Sequence, residues 1–313
     1  MLPSKPKAPR NRTLTLSPVE LQTYRLQLQQ LTQPSPLAAV LDAILHQDCH
    51  TAIAHLPAAC IDLLILDPPY NLRKDFHGRL FQRRSPDDYL DWFASWLLPL
   101  KRLLKSTASV YVCADWQSSA VVYPLLAEHF TVRNRITWER EKGRGAKTNW
   151  KNASEDIWFC TVSDRYTFNV EAVKLRRRVI APYRDRHGHP KDWQNTRQGR
   201  FRLTHPSNLW TDISVPFWSM PENTDHPTQK PEKLIAKLIL ASSQPQAVVL
   251  DPFLGSGTTA VVAKKLGRHY IGIETNEEYC CLAMKRLAMA EGDRRIQGYT
   301  DGYFWERNST PSA

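Results

Sequence analysis

Two short segments of this chain place polar groups where a buried strand is predicted to end. In the first, Asp67-Pro68-Pro69-Tyr70 follows the apolar run 61–66. The Asp67 carboxylate is an acceptor, and a residue before proline is held extended, which fixes the direction of the Pro68 carbonyl. Two acceptors can therefore converge on the two hydrogens of an amino group, while the Tyr70 ring offers a surface for a planar base. A Pro-Pro turn with an aromatic plug is the alternative interpretation.

The second segment, residues 251–259, leads from a short apolar strand into a helix through a turn that contains Gly255 and Gly257. Glycines let backbone approach a ligand closely, and a helix N-terminus offers free N–H groups to an anion. Glu274 ends the next predicted strand, where its carboxylate can accept from both hydroxyls of a ribose. The segment predicts a nucleoside cofactor, and an ordinary tight turn is the alternative.

Alternating strands and helices must position these segments. A capping box at Ser17-Pro18-Val19-Glu20 predicts a helix through about Gln30. Further strands are predicted at 61–66, 108–113, 247–250 and 269–274, and a strand pair at 132–138 and 156–162. Helices are predicted at 89–105, 118–129, 231–243 and 277–290. This order predicts an α/β, Rossmann-like fold with a mostly parallel sheet and helices on both faces.

The composition excludes several classes of protein. The chain has 313 residues, of which 42% are hydrophobic, so disorder over the whole length is excluded. Its apolar stretches are too short for a membrane span, and polar sequence follows the basic N-terminus instead of a signal core. Six cysteines without a C-x-x-C pair predict a reduced, cytoplasmic setting.

The positive charge is concentrated in one part of the chain. The net charge is +11, and residues 131–207 hold 18 Lys and Arg against 8 Asp and Glu. The first twelve residues add four basic side chains and no acid. Such a patch predicts a polyanionic partner, with a solvated basic surface as the alternative. Because residues 163–207 show little periodicity, we interpret them as an irregular, inserted recognition region.

Together the two segments resemble the β-group DNA amino-methyltransferases, which use S-adenosylmethionine and belong to restriction–modification systems. The order matches that group, because the catalytic loop comes first, a basic segment follows, and the glycine loop comes last. The segment 226–231 (His-Pro-Thr-Gln-Lys-Pro) and Gln47-Asp48 are similar to two further motifs of the family. The resemblance spans about residues 41–290 and implies the methyltransferase version of the Rossmann-like fold.

The resemblance also implies roles for individual residues. Asp67 and the Pro68 carbonyl would bind the target amino group, and Tyr70 would stack on the extruded base; the catalytic set is Asp67, Pro68, Pro69 and Tyr70. Lys230 would hold the methionine carboxylate together with the glycine loop. The cofactor-binding set is Asp48, Cys49, Asp67, His226, Thr228, Lys230, Asp251, Phe253, Gly255, Ser256, Gly257, Thr258, Thr259 and Glu274.

A DNA-binding set is predicted from the basic segment. Trp138 stands where the family often has a second aromatic near the flipped base, although a buried strand tryptophan is an equal alternative. The arginine run 176–178 is expected to contact phosphates instead of reading bases. No metal is expected, because His187 and His189 lack companions with ligand spacing. The set is Trp138, Arg144, Lys147, Arg176, Arg177, Arg178, Arg184 and Arg186.

The predicted reaction is methyl transfer from S-adenosylmethionine to the N6 amine of adenine in duplex DNA. Hydrogen bonds to Asp67 and Pro68 would favour a pyramidal nitrogen, and the base has to flip out of the stack. No cysteine follows a proline, so the nucleophile of cytosine-C5 enzymes is missing. The alternatives are a cytosine-N4 enzyme and an inactive DNA-binding protein. An RNA target is disfavoured because no RNA-binding module is visible, and glutamine-methylating relatives carry Asn at the first motif position.

The predicted organisation has four parts. A flexible basic arm covers residues 1–16, a catalytic half 17–162, the recognition insert 163–207, and a cofactor-binding half 208–313. The expected partner is double-stranded DNA, with no membrane contact. A second copy of the chain and a cognate restriction endonuclease without a stable complex are the protein partners that the resemblance allows. The expected location is the bacterial cytoplasm at the nucleoid.

Overall fold

A computed structural model describes residues 8–76, 79–140, 147–180, 182–196 and 199–306. Within them the helices are α1 (Pro18–Arg25), α2 (Leu37–Val40), α3 (Cys49–His55), α4 (Pro86–Lys101), α5 (Trp116–His129), α6 (Glu232–Ser242), α7 (Thr258–Lys265) and α8 (Glu277–Gly292). The strands are β1 (Ala43–His46), β2 (Ile61–Leu66), β3 (Lys74–Phe76), β4 (Arg79–Phe81), β5 (Leu104–Ala114), β6 (Thr131–Glu139), β7 (Ser154–Thr161), β8 (Leu175–Arg178), β9 (Gln194–Thr196), β10 (Gly199–Thr204), β11 (Leu209–Trp210), β12 (Val248–Asp251), β13 (His269–Glu274), β14 (Tyr299–Thr300) and β15 (Tyr303–Trp305).

The largest sheet has the strand order β1-β13-β12-β2-β5-β7-β6-β11. Its first five strands are parallel, whereas β7 is antiparallel to both β5 and β6, and β11 is parallel to β6. The predicted α/β class with a mostly parallel sheet is confirmed. The strand pair predicted at 132–138 and 156–162 is β6 and β7.

The sheet is covered by helices on both faces. In β2, Leu63 and Ile65 pack with residues of α6, α7 and α8, whereas Leu64 and Leu66 pack with residues of α3, α4 and α5. A strand that is buried on both sides needs apolar residues at nearly every position, which explains the continuous run in the sequence. The strand ends before Pro68, because proline cannot donate to the ladder.

Residues 163–207 contain strands, so the prediction that this insert is irregular is wrong for β8, β9 and β10. These strands form a second sheet with β14 and β15, in the order β14-β15-β8-β10-β9. The sequence hides these strands for two reasons. The strand β8 carries arginines at positions where an alternating pattern would have apolar residues. Its partner strand β15, in which Phe304 lies opposite Leu175, comes much later in the chain. Residues 299–305 therefore belong to the sheet of the insert and not to the cofactor-binding half.

The N-terminal region lies against the body of the molecule. α1 begins with the predicted capping box, but it ends at Arg25 because Gln29 pairs with Leu45 at the edge of the large sheet. The Arg12 amide donates to the Trp218 carbonyl at 2.7 Å, in the middle of the predicted flexible arm. That part of the arm is fixed, while residues 1–7 lie outside the described residues.

The six cysteines are free thiols, and all of them are buried. Their burial is typical of structural thiols. Among the described helices, none combines the length and the apolar character that a membrane crossing requires.

Candidate active site

Four acidic residues lie where adjacent parallel strands end. Asp67 follows β2, Asp251 ends β12, Glu274 ends β13, and Asp48 comes shortly after β1. Because these strands are neighbours, their carboxyl ends meet along one edge of the sheet, where open α/β folds bind ligands. A cavity of about 410 Å³ opens at this edge. Apart from Gly257, the predicted catalytic and cofactor-binding residues all line it: Asp48, Cys49, Asp67, Pro68, Pro69, Tyr70, His226, Thr228, Lys230, Asp251, Phe253, Gly255, Ser256, Thr258, Thr259 and Glu274.

The loop that follows β2 is held by hydrogen bonds from two helices. The Tyr89 hydroxyl of α4 donates to the Pro69 carbonyl at 3.0 Å. The Asn71 amide donates to the Ser118 hydroxyl of α5, also at 3.0 Å. These contacts hold the backbone at Pro69 and Asn71, so the loop keeps one orientation relative to the cavity.

A buried network of charges surrounds Asp67. The Lys230 ammonium lies 2.7 Å from both carboxylate oxygens of Asp67 and 3.2 Å from Glu155. The Tyr70 hydroxyl lies 3.0 Å from Asp67 and 3.1 Å from Glu155, whose other oxygen is 2.6 Å from the Arg140 guanidinium. Burial would lower the pKa of Lys230, but the two carboxylates raise it above its ordinary value. Lys230 thus pairs with the predicted catalytic aspartate, and its contact with the cofactor carboxylate, which the resemblance implies, stays a prediction.

The glycine loop makes a sharp turn that excludes side chains. Gly255 and Gly257 have φ angles of 55° and 89°. A Cβ atom on Gly255 would lie 2.9 Å from the His226 ring, and one on Gly257 would lie 2.5 Å from the Ala283 side chain. Gly257 therefore shapes the start of α7 and packs it onto α8, which explains why it does not line the cavity.

The Glu274 carboxylate is oriented by two backbone amides. The Gly255 amide donates to one oxygen at 2.9 Å, and the Asn276 amide donates to the other at 2.8 Å. The Thr275 hydroxyl adds a longer bond of 3.4 Å. A carboxylate has about four acceptor positions, so these three bonds leave capacity for a further donor. Glu274 therefore remains able to accept hydrogen bonds from a ligand in the cavity.

Asp251 is buried behind the same loop. The Thr259 hydroxyl donates to it at 2.6 Å and the Phe253 amide at 3.0 Å. Burial raises the pKa of Asp251 to about 7, although these two hydrogen bonds oppose the shift. The Phe253 ring contacts Trp96 edge-on, with ring centres 4.8 Å apart. Asp251 thus organises the turn, and Phe253 forms an apolar wall of the cavity.

Residues 226 and 228–230 line the same cavity as the catalytic loop. The His226 ring packs against Tyr279 in an edge-on contact, and its Nδ1 accepts from the Thr228 amide at 3.3 Å. The Thr258 hydroxyl at the start of α7 donates to the Lys230 carbonyl at 3.0 Å. This segment is therefore joined directly to the glycine loop.

Asp48, Cys49 and His50 bring atoms of metal-ligand type within 4.8 Å of one another. Asp48 is the N-cap of α3 and accepts from the His50 amide at 2.9 Å. Burial, followed by the Asp48 charge, raises the pKa of Cys49 to about 12, so the thiolate that a metal requires is disfavoured. The group is a helix cap, and we assign no metal to it.

Comparison with known proteins identifies the family. The family model described as DNA methylase, that of the N6 and N4 methyltransferases, matches residues 61–285, well over half of the chain. The chain belongs to the N6/N4 DNA methylase family. The DNA adenine methyltransferase YhdJ of Escherichia coli K12 is 33% identical to this methylase over 265 residues, which cover 82% of this chain and 86% of YhdJ. The type II methyltransferase M.HpaI of Haemophilus parainfluenzae is 32% identical over 239 residues, 75% of this chain and 71% of M.HpaI.

Two solved structures share the fold of this methylase. The PvuII DNA methyltransferase, which is cytosine-N4-specific, superposes with a TM-score of 0.58 at 18% identity, over 78% of this chain and 85% of that one. TTHA0409 of Thermus thermophilus, solved in complex with S-adenosyl-L-methionine, gives a TM-score of 0.53 at 19% identity, over 85% and 98% of the two chains.

The predicted DNA-binding residues of this methylase fall into different environments. Trp138 is 1% exposed and donates to the Ile213 carbonyl, so it is a core residue and the prediction that it faces a flipped base is wrong for this structure. The Arg176 guanidinium packs over the rings of Phe201 and Trp305, at 5.1 Å and 4.8 Å from their centres. Arg177 is half-buried, and Arg144 lies outside the described residues. The exposed members are Lys147, Arg178, Arg184 and Arg186.

Residues near the site of this methylase also include two that the sequence did not single out. Glu155 lies near the start of β7, 3.2 Å from Lys230, and Arg140 directly follows β6, 2.6 Å from Glu155. Their proximity arises from the antiparallel pairing of β7 with β5 and β6, which no local motif announces. The local signal for these two residues is a cluster of charges. Residues 139–141 and 155–156 are all charged, and they lie where the strands predicted at 132–138 and 156–162 end and begin.

Proposed function

We propose that this methylase transfers a methyl group from S-adenosylmethionine to the N6 amine of adenine in duplex DNA. The observation that carries the proposal is that Asp67-Pro68-Pro69-Tyr70 and Glu274 with the glycine loop line one cavity. The relative YhdJ, at 33% identity, supports adenine as the base, because it is a DNA adenine methyltransferase. The cytosine-N4-specific PvuII enzyme shares the fold at 18% identity, and cytosine N4 is therefore the second candidate.

The cavity suits the cofactor in volume and in the chemistry of its walls. Its size lies within the range of small-molecule sites. Glu274 would accept from ribose hydroxyls, Asp48 would face the adenosine end, and Phe253 would supply apolar contact. The first turn of α7 presents unpaired N–H groups to a carboxylate, and the buried Ser256 hydroxyl has no partner among the described residues. When bound, the cofactor supplies an electrophilic methyl group on a sulfonium.

The chain's own residues bind and orient the target amine. Asp67 and the Pro68 carbonyl would accept its two N–H groups, which favours a pyramidal nitrogen with an available lone pair. Flipping the base out of the stack costs a few kcal/mol, and stacking on Tyr70 would offset roughly 1–3 kcal/mol of it. The amine would gain the methyl group as the bond between the cofactor sulfur and that methyl breaks, which leaves a neutral thioether, and the amine would release one proton to solvent.

The DNA-facing surface is proposed to include Lys147, Arg178, Arg184 and Arg186, which are exposed on the basic segment. We keep the division into a catalytic half, a recognition insert and a cofactor half, with residues 299–305 added to the insert. The name of M.HpaI, a type II methyltransferase, supports a restriction–modification setting. We propose the bacterial cytoplasm at the nucleoid as the location. A second copy of the chain and a cognate endonuclease are the protein partners to be tested by light scattering and co-purification.

The proposal is tested by incubating the protein with tritiated cofactor and either duplex DNA or RNA, followed by digestion and nucleoside separation. Label in N6-methyladenine is expected. Label in N4-methylcytosine would replace adenine by the second candidate, and label in RNA alone would change the substrate class. Unlabelled DNA with persistent filter binding would establish an inactive DNA-binding protein instead.

A further inference from the structure

The Lys230 ammonium lies between two carboxylates, the buried Glu155 and the partly exposed Asp67. It contacts both oxygens of Asp67 at 2.7 Å and one oxygen of Glu155 at 3.2 Å. The Lys230 and Glu155 side chains are 7% and 3% exposed, so water does not solvate this cation freely. The ammonium therefore depends on these two acids, with the Tyr70 hydroxyl at 3.1 Å as a further neighbour.

This arrangement conflicts with the role of Asp67 in binding an amine. Lys230 contacts both carboxylate oxygens of Asp67, and Tyr70 lies close to one of them. A target amino group needs one of these oxygens as an acceptor. It therefore competes with Lys230, which contacts both oxygens, and weakens at least one of the Lys230 contacts when the base arrives. A buried cation that loses its partner is unfavourable by several kcal/mol unless another anion replaces that partner.

Glu155 is placed to be that replacement. It lies on β7 opposite Trp138 of β6, and the pairing of β7 with β5 begins at the next residue, Asp156, so its backbone is held in the sheet. One of its oxygens faces Lys230 and Tyr70, and the other is 2.6 Å from the Arg140 guanidinium. Arg140 orients the carboxylate without blocking the oxygen that faces Lys230.

We infer that Glu155 is a positioning residue of the methyl transfer, which receives the Lys230 ammonium when the target amine binds to Asp67. The inference rests on the proposed function, because it needs an amino group as the substrate. Glu155 does not touch the amine. It acts through Lys230, by making the Asp67 oxygen available and by keeping the ammonium paired throughout the reaction.

The test compares Glu155→Gln with the unaltered protein. Glutamine keeps the size of the side chain but offers Lys230 no negative charge, so the ammonium should stay on Asp67. We expect kcat to fall about 10- to 100-fold, the effect of misplacing a reacting group, with KM and calorimetric affinity for the cofactor unchanged. Glu155→Asp should recover part of the loss. Glu128→Gln, which removes an exposed acid on α5 (72% exposed), is the matched control and should behave like the unaltered protein.

A second readout follows the amine itself. A duplex that the unaltered protein methylates is prepared with adenine or with unsubstituted purine, which lacks the amino group, at the target position, and the Kd of each duplex is measured. The ratio of the purine Kd to the adenine Kd should be about two- to tenfold larger for the unaltered protein than for Glu155→Gln, because one hydrogen bond to the amine is worth that much. Equal kcat and equal base preference in the two proteins would overturn the inference, as would a loss of cofactor binding in Glu155→Gln, which would indicate a merely structural role. If the unaltered protein labels no DNA, the proposed function fails before any variant is compared.

Discussion

The Arg286 guanidinium of α8 donates to the Ser256 carbonyl in the glycine loop at 2.9 Å. The same group donates to the Thr258 hydroxyl at 3.0 Å and pairs with Glu232 of α6 at 3.1 Å. Arg286 is 3% exposed, so a single buried cation joins the loop, α6 and α8. The loop that is proposed to hold the cofactor is thus fixed by its hydrogen bonds with Arg286 as well as by the turn at its own glycines.

Replacing Arg286 by Met should therefore weaken both folding and cofactor binding. Glu232 would keep Lys265, 2.6 Å away, as its charged partner. We expect the free energy of unfolding to drop by about 3 kcal/mol, the lower end for breaking a buried pair, and the cofactor Kd to rise. Urea unfolding and calorimetry measure these effects. Lys264→Met removes an exposed ion pair between α7 and α8 and should change neither quantity appreciably.

Asp67→Ala should abolish methyl transfer while the cofactor still binds. The variant removes the acceptor of the target amine, and Lys230 keeps Glu155 as its partner, so the fold should survive. A loss of at least about 10²-fold in kcat is expected, as for other positioned polar groups in active sites. Tritium transfer and calorimetry check the two halves of the expectation. Turnover at the normal rate would remove Asp67 from the mechanism.

Glu274→Gln should weaken cofactor binding without stopping chemistry. The amide oxygen can still accept from one backbone N–H, but the second oxygen and the charge are lost. We expect the cofactor affinity to fall by about 1.5–3 kcal/mol, the range for hydrogen bonds to a charged group. Glu277→Gln, nearby at the start of α8 and paired with Arg25, is the control. An unchanged cofactor affinity in Glu274→Gln would contradict the ribose role.

Asp251 should make the stability of the protein depend on pH. In the unfolded chain an aspartate releases its proton near pH 3.8, whereas Asp251 in the folded protein keeps it up to about pH 7. Between these values the folded state binds the additional proton, so raising the pH destabilises it, by about 1.4 kcal/mol per unit and roughly 4 kcal/mol in total. Asp251→Asn should gain stability relative to the unaltered protein over this interval and level off above it. Urea unfolding at several pH values would show a constant difference if the expectation is wrong.

The arginines of the insert should separate into two groups by their salt dependence. Replacing the exposed Arg178, Arg184 and Arg186 by Ala should reduce the slope of log K against log salt by about 0.9 for each phosphate contact that is lost. Arg176→Ala should instead lower the melting temperature, because the guanidinium packs on aromatic rings. Fluorescence anisotropy over a salt series measures the slope. Arg295→Ala, exposed but outside the insert, should leave the slope unaltered, and an identical slope for the triple variant would refute the phosphate role.

The strand ends and the cavity could be predicted from sequence because their signals are local. A continuous apolar run followed by two prolines defines β2, and two glycines between a strand and a helix define the loop before α7. Glu155 escaped prediction because it lies 85 residues after Tyr70, and the Lys230–Asp67 pair because 163 residues separate its members. Such contacts arise from tertiary pairing, and a single sequence gives no periodic trace of them.

Element boundaries were least predictable where one apolar pattern serves two elements. The helix predicted at 89–105 ends at Lys101, because Leu103 and Leu104 already belong to the turn and to β5. The strands of the insert escaped for a different reason. In β8 the side chain of Arg176 is covered by aromatic rings, so a charged residue occupies a position where the period-two pattern expects an apolar one.

The pairing of β15 with β8 has a consequence for how the chain folds. Leu175 meets Phe304 only after about 130 intervening residues have been made, so the loop that closes this sheet is very long. Contacts of such high sequence separation are slow to form. During synthesis, the Rossmann-like half can assemble while Arg176 still lacks the ring of Trp305. The sheet of β8, β9, β10, β14 and β15 should therefore form late in synthesis. A nascent chain would then be able to bind the cofactor before it can bind duplex DNA.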